Sequence, residues 1–378
     1  MSKMQILATL LAFGAVATQA QAVSSLVATE SETAAPTAIS QQASTTAPAA
    51  DAPFKPSFKF GGYFIGKYAY SDQEGVAAKG GFDIRLFRAY GNGYVLPQVY
   101  YRFQFELNDA PGTDRGPRLL DAFVEWQPYE AMRLKLGQFK RPFGFENPMS
   151  PLDIGFGNFS QIAVKLQSIN DRIGAHRSSG RDIGLQVQGD LLRNASGTPL
   201  LHYQVGLFNG QGINHRDLNS HKDLIGGLWV SPVRDLNIGA FGWNGRHTNE
   251  SDRTQTINLH RYGLGVKYEA AWTVRGEYVH SVGTTLKGGP DRSDGWYVAV
   301  GAPIPKVKGL KVYGKWDAYR DNAHTWQGLK NDYCLTANYW LNKNFMLQLN
   351  YIHTYDRSLA ATADRHYNVI DAQVVARF

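Results

Sequence analysis

Segments of about ten residues that alternate apolar and polar side chains recur from Phe54 to Phe378 and constrain the fold more than any other feature. In 98–108, Val99, Tyr101, Phe103, Phe105 and Leu107 share one face, while Arg102, Gln104, Glu106 and Asn108 share the other. In 344–355, Phe345, Leu347, Leu349 and Tyr351 oppose Gln348 and Asn350, and in 311–319 Lys311, Lys315 and Asp317 oppose Val312, Trp316 and Ala318. A period of two is a strand. Charge on one face against large aromatics on the other, over strands this long, suits a wall with water on one side and lipid on the other. After residue 20 no run of 18 apolar residues exists, so a spanning helix is excluded. A membrane chain of this kind has only a closed barrel left to it, because no backbone polar group can go unpaired in lipid.

Composition agrees. Aromatics make up 12% of the 378 residues, with 20 Tyr, 19 Phe and 39 Gly, a mixture of strand and turn formers. Sixteen alternating segments run between 57 and 378, with boundaries near 57–70, 82–95, 98–108, 118–127, 132–139, 181–190 and on to 365–378. Their connections alternate long and short. The long ones include 71–81, 109–117, 140–180, 210–221 and 245–255; the short ones include Leu96-Pro97, Gln127-Pro128, 231–234 and Asn342-Lys343. A soluble sandwich has no reason to sort its loops in this way, whereas an outer-membrane barrel does. The segment 191–199 is longer than the other short turns. Tyr68, Tyr70, Tyr94, Trp126, Trp272 and Tyr351 stand near strand ends, as interfacial girdles require. The expected fold is all-β: a transmembrane antiparallel barrel of 16 strands with a long third loop folded into the lumen.

Residues 1–22 read as a signal peptide, with Lys3 before an apolar core over 6–16 and Ala20-Gln21-Ala22 as the cleavage site. Residues 23–53 take 22 of 31 positions from Ala, Ser, Thr and Pro, and read as a disordered linker. The barrel is assigned to 54–378. Setting aside Lys3, Glu30, Glu32 and Asp51 leaves 38 basic and 29 acidic residues there, a net charge of +9. That balance favours anionic partners. The final strand, 365–378, alternates up to a terminal Phe378 and resembles the signal by which outer-membrane proteins are recognised for assembly.

At 118–146 the sequence resembles the phosphate-selective porin O and P family. The residues that carry the resemblance are Asp121 and Glu125, then Gly137-Gln138-Phe139-Lys140 with Pro142, Phe143 and Glu146. It extends more weakly over most of 57–378, including 82–95 and 181–191. The family implies a 16-stranded barrel, often a homotrimer, with a third loop folded into the channel. Phe87 stands where the resemblance leads one to expect a further arginine of a phosphate ladder.

A porin makes and breaks no bonds; it selects by size and charge in a wet constriction. The segment 140–180 carries Lys140, Arg141, Lys165, Arg172 and Arg177 against Glu146, Asp153 and Asp171. A structureless loop that long is expected to be functional or folded into something. Lys165, Arg172, Arg177 and the adjacent Arg181 are the expected pore-facing cations, with solvated outer charges or lipopolysaccharide contacts as the competing reading. Parity adds Lys59, Lys67, Arg85, Arg102, Arg133, Lys135, Lys267, Arg275, Lys311 and Lys315 to the lumen side, with Asp83, Glu106, Asp121, Glu125, Glu277 and Asp317. Arg85 and Arg88 differ in parity, so without a bulge only one faces the lumen, and Arg85, on the face of Asp83, is preferred.

Arginine offers phosphate or carboxylate a bidentate fork, and lysine a point charge. In a hydrated lumen such charges are screened within about 10 Å at ordinary salt. The expected activity is passive diffusion of small hydrophilic solutes with a weak to moderate anion preference. The expected partners are outer-membrane lipids, lipopolysaccharide and small anions such as phosphate, with no nucleic acid and no cofactor. Alternatives are a phosphate- or polyphosphate-specific channel and a structural or adhesive barrel with a plugged pore. A barrel enzyme would need a nucleophile with a His and a carboxylate at the rim, and no hydrolase motif is present. His215 and His221 sit six apart with no carboxylate spaced to complete a metal site, and the lone Cys334 reads as a small wall residue.

Overall fold

The structure, a computed structural model, describes residues 54–108, 117–194 and 197–378. The proposed signal peptide and linker lie outside the described residues. The strands are β1 (Lys59–Ser71), β2 (Gly80–Leu96), β3 (Val99–Glu106), β4 (Arg118–Tyr129), β5 (Met132–Lys140), β6 (Arg181–Arg193), β7 (Pro199–Phe208) and β8 (Asp223–Val230). They continue as β9 (Leu236–Thr248), β10 (Thr256–Glu269), β11 (Thr273–Val282), β12 (Arg292–Pro303), β13 (Leu310–Arg320), β14 (Leu329–Asn342), β15 (Phe345–Asp356) and β16 (His366–Arg377). Each pairs antiparallel with its sequence neighbours, and β1 pairs with β16, so the sheet closes on itself. Closure leaves no strand edge unpaired, which is the condition for a sheet to exist in lipid.

The seam is continued past β16, where Gly62 and Phe378 exchange backbone hydrogen bonds of 2.9 and 3.1 Å. The exterior is apolar: Phe82, Leu136, Leu264, Val298 and Leu335 are all exposed, with Trp126, Trp272 and Tyr351 also exposed near strand ends. The buried face carries polar and charged side chains, among them Gln104, Glu106, Asp121, Arg181, Arg275, Glu277, Lys315 and Asp317. The usual arrangement of a soluble protein is reversed.

Long and short connections alternate without exception along the described chain. The short turns differ in detail from those expected. β4 runs through Pro128 to Tyr129, with a register shift between Trp126 and Tyr129, and turns at 130–131 instead of at Gln127-Pro128. Proline has no N–H to give the ladder, and a bulge absorbs that loss. β6 runs on to Arg193, which shortens the turn at 191–199 to 194–198.

Candidate functional site

The third long connection, 141–180, is held by wall residues spread around the sheet. It starts at the motif 137–146. Gly137 sits at φ +131°, and a Cβ there would lie 2.2 Å from the Ala122 carbonyl oxygen, so β4 can approach only a glycine. Gln138 Nε2 donates to the Leu119 and Leu120 carbonyls and to Asn214, and its Oε1 accepts the Asn214 N–H at 2.7 Å. Phe139 is buried edge-on to Phe123 and Phe208. Lys140 Nζ donates to the carbonyls of Asn147 and Met149, at 2.8 and 2.5 Å, and so folds the next nine residues back on the strand end.

Pro142 and Phe143 are buried, the latter against Phe241 and Trp243 of β9. Glu146 is buried and accepts the Ser160 N–H at 2.8 Å as well as its hydroxyl. Ser160 in turn caps a short helix, α1 (Gln161–Lys165), by accepting from the Ala163 N–H. The motif glutamate therefore ties the start of the connection to its only helical turn.

Across the sheet, carboxylates hold the connection by its amides. Glu277 on β11 accepts the N–H groups of Phe145 and Glu146 at 2.8 and 2.9 Å, the Gln167 amide and the Tyr297 hydroxyl. Asp317 on β13 accepts the Gln161 N–H at 2.9 Å and pairs with Lys315. Cations hold its carbonyls: Arg275 to Ile154 at 2.8 Å, Lys315 to Asn158 at 3.2 Å, Arg85 to Gly157 at 2.7 Å. Arg261 on β10 grips Asp171 with two bonds of 2.6 and 2.7 Å.

On β2 to β6 cations outnumber carboxylates. Asp121 is shared by Arg181, at 2.7 Å, and Arg102, at 3.7 Å. Glu106 is shared by Arg88, at 3.3 Å, and Arg118, at 3.0 Å. Arg85 and Lys140 meet only neutral groups among their hydrogen bonds. Altogether β2 to β6 carry nine cations and six carboxylates. The neighbouring pairs Arg133–Asp190 and Lys135–Glu125 are balanced.

Arg85 and Arg88 reach the same side. Ile65 pairs with Leu86 and Gly66 with Ile84, so Arg85 is the extra residue of a bulge. The preference for Arg85 alone is corrected: with the bulge, Arg85 bonds Gln373 at 2.8 Å and Arg88 bonds the Tyr63 hydroxyl at 3.0 Å. Arg172 also departs from the expected position. Its guanidinium is spent on Asp321 and on the carbonyls of Gly283, Pro290 and Asp321 in other long connections. Lys165 ends α1 and borders a cavity of about 360 Å³ with Phe159, Gln161, Tyr319, Asp321 and Lys330. The Arg177 carbonyl accepts from Arg118 at 3.1 Å. Lys311 donates to Thr273 at 2.8 Å, and Lys67 pairs with Asp83 at 3.5 Å.

Sequence reading missed Arg261 and Arg118. Arg261 shares parity with Lys267 and was there to be found; Arg118 opens its strand, where parity is least certain.

Residues 58–232 match the family model for phosphate-selective porin O and P. Over these residues, which span β1 to β8, the chain carries the sequence of an outer-membrane porin family. No curated protein sequence matches it. Among solved structures this porin resembles the anion-selective porin from Comamonas acidovorans, with TM-score 0.65 and 12% identity over 86% of this chain and 100% of that one. It also resembles Salmonella typhi OmpF in complex with daunomycin, with TM-score 0.61 and 12% identity over 85% and 97% of the two chains. A third is OmpT, an outer membrane protein of Vibrio cholerae, with TM-score 0.59 and 10% identity over 85% and 98%. At such identities the likeness is one of fold. The porin's place is the bacterial outer membrane, and its apolar exterior meets lipid there.

Proposed function

We propose that the porin passes small hydrophilic solutes by passive diffusion, without catalysis, and prefers anions weakly to moderately. In this reading the connection 141–180 folds into the lumen and sets the constriction. Its support is geometric: the segment is bonded to side chains of β2, β4, β10, β11 and β13, spread around a closed sheet.

The observation that carries the anion preference is an imbalance of charge. Strands β2 to β6 carry nine cations and six carboxylates. On the far arc Glu277 and Asp317 accept backbone amides of the connection, and Asp317 also pairs with Lys315. Fixed positive charge beside water raises the local concentration of anions. Many of the cations are paired, and the lumen is wet, so the preference stays far from tight binding.

The test is the zero-current potential across a planar bilayer in a tenfold KCl gradient. Chloride over potassium permeability above unity is expected; a cation preference would overturn the reading. Phosphate or polyphosphate selectivity is the finer alternative and would appear as block of chloride current at sub-millimolar phosphate. Assembly as a homotrimer is part of the proposal, prompted by the family resemblance, and is read by crosslinking in detergent.

A further inference from the structure

We propose that His176, His215 and Glu250 form a binding site for a borderline divalent transition cation, with Zn²⁺ as its representative, at the outer mouth of the barrel. The three residues come from three consecutive long connections, 141–180, 209–222 and 249–255, all on the same side of the sheet. One ligand atom from each lies within 4.8 Å of the others. The carboxylate missing from the spacing around His215 and His221 is supplied by the next long connection.

Hydrogen bonding of His215 makes the case. Its Nδ1 lies 2.5 Å from the Ile213 carbonyl oxygen, which can only accept, so Nδ1 carries a proton. In the neutral ring the Nε2 lone pair then faces Glu250 Oε2 at 3.3 Å. Two acceptors at that distance require a cation between or upon them. A proton on Nε2 would serve, and so would a metal. A backbone carbonyl holding the far nitrogen is also the usual way in which a metal-binding imidazole is oriented.

His176 favours the metal. Its ring stacks on that of His215 with centroids 3.7 Å apart, and its Nε2 is buried with no hydrogen-bond partner. Room at this nitrogen exists because residue 212 is glycine; a Cβ on Gly212 would lie 2.9 Å from it. Tetrahedral zinc with bonds of about 2.0–2.1 Å sets its ligand atoms about 3.3 Å apart. The His215–Glu250 edge already has that length, and His176, stacked on His215, must turn its ring to bring its lone pair to the same point. Two imidazoles and a carboxylate are a donor set for Zn²⁺ and its neighbours, and a poor one for Mg²⁺ or Ca²⁺.

Bound metal would fasten the third connection to the fourth and fifth. The experiment is calorimetric titration of the folded, chelator-stripped porin in detergent with Zn²⁺ alone. One equivalent should bind in the micromolar range, with Mg²⁺ showing no heat. H215A and H176Q should each weaken binding at least about tenfold. E250Q, a change at an exposed side chain, should do so with the fold certain to persist. The stacked pair His353 and His366, with nitrogens 3.4 Å apart, is the competing locus, and H353A with H366A should leave the stoichiometry unchanged. Absence of zinc binding to the parent protein below about 100 μM, or binding lost only with His353 and His366, would overturn the proposal.

Discussion

The Arg181 guanidinium meets the Asp121 carboxylate as a fork, with bonds of 2.7 and 3.1 Å that bridge β6 to β4 across the intervening β5. Both side chains are almost wholly buried, and Arg102 leans on the same carboxylate. Asp121→Asn removes one negative charge and keeps the shape. Chloride over potassium permeability should rise, read from the zero-current potential. The fold should weaken as well, since breaking a buried pair by one partner costs about 3–5 kcal/mol. Arg181→Met should move permeability the other way. Unchanged permeability in both variants would mean that the fork's charge is not felt by passing ions.

The ends of a deletion are already in place within the third connection. The Asn147 N–H donates to Gln167 Oε1 at 3.1 Å, so removal of 148–166 joins neighbours. Single-channel conductance of the deleted porin should rise several-fold. If the parent conducts nothing and the deletion conducts well, the segment is a plug, and the diffusion reading gives way to a structural barrel.

Acid should loosen the same segment. Burial pushes the Asp171 carboxyl up, but the Arg261 guanidinium and the Ser168 hydroxyl outweigh it and leave it below its ordinary 3.8. A folded value below the unfolded one means that the tether is complete above about pH 4 and is lost as pH falls through the folded value. Current noise and protease sensitivity of 141–180 should therefore increase below pH 3.8, and Asp171→Asn should show both already at neutral pH. A parent channel whose noise and protease sensitivity stay unchanged at every acid pH down to its unfolding would count against the tether.

Phe139 packs edge-on between Phe123 and Phe208, with centroids 5.8 and 5.4 Å away. Phe139→Ala should cost about 3–5 kcal/mol through the cavity it leaves. Heat-dependent gel migration would show a lower unfolding temperature. Selectivity should stay as it was, because the ring carries no charge.

The barrel was legible because two independent patterns agreed. Alternation placed Gln104 and Glu106 on one face and Phe105 on the other, and the order of long and short connections then left few topologies. What stayed hidden was local. Pro128 looks like a turn but is absorbed by a bulge within β4. The same device at Arg85 shifts parity for all that follows in β2, so Arg88 was assigned outward.

The third connection could be recognised by length and composition, but not its partners. Arg172 looks free in sequence because the carbonyls it binds lie more than a hundred residues away. His215 had no ligand partner within its own loop; Glu250 reaches it only through closure of the fold.

Glu277 and Asp317 do two jobs with one pair of charges. By gripping backbone amides they fix where the third connection lies, and as acids they add negative charge to the wall opposite the basic arc. Bore and ion preference are therefore not independent traits in this porin. A lineage or an engineer that neutralises either acid to retune selectivity also unfastens the third connection.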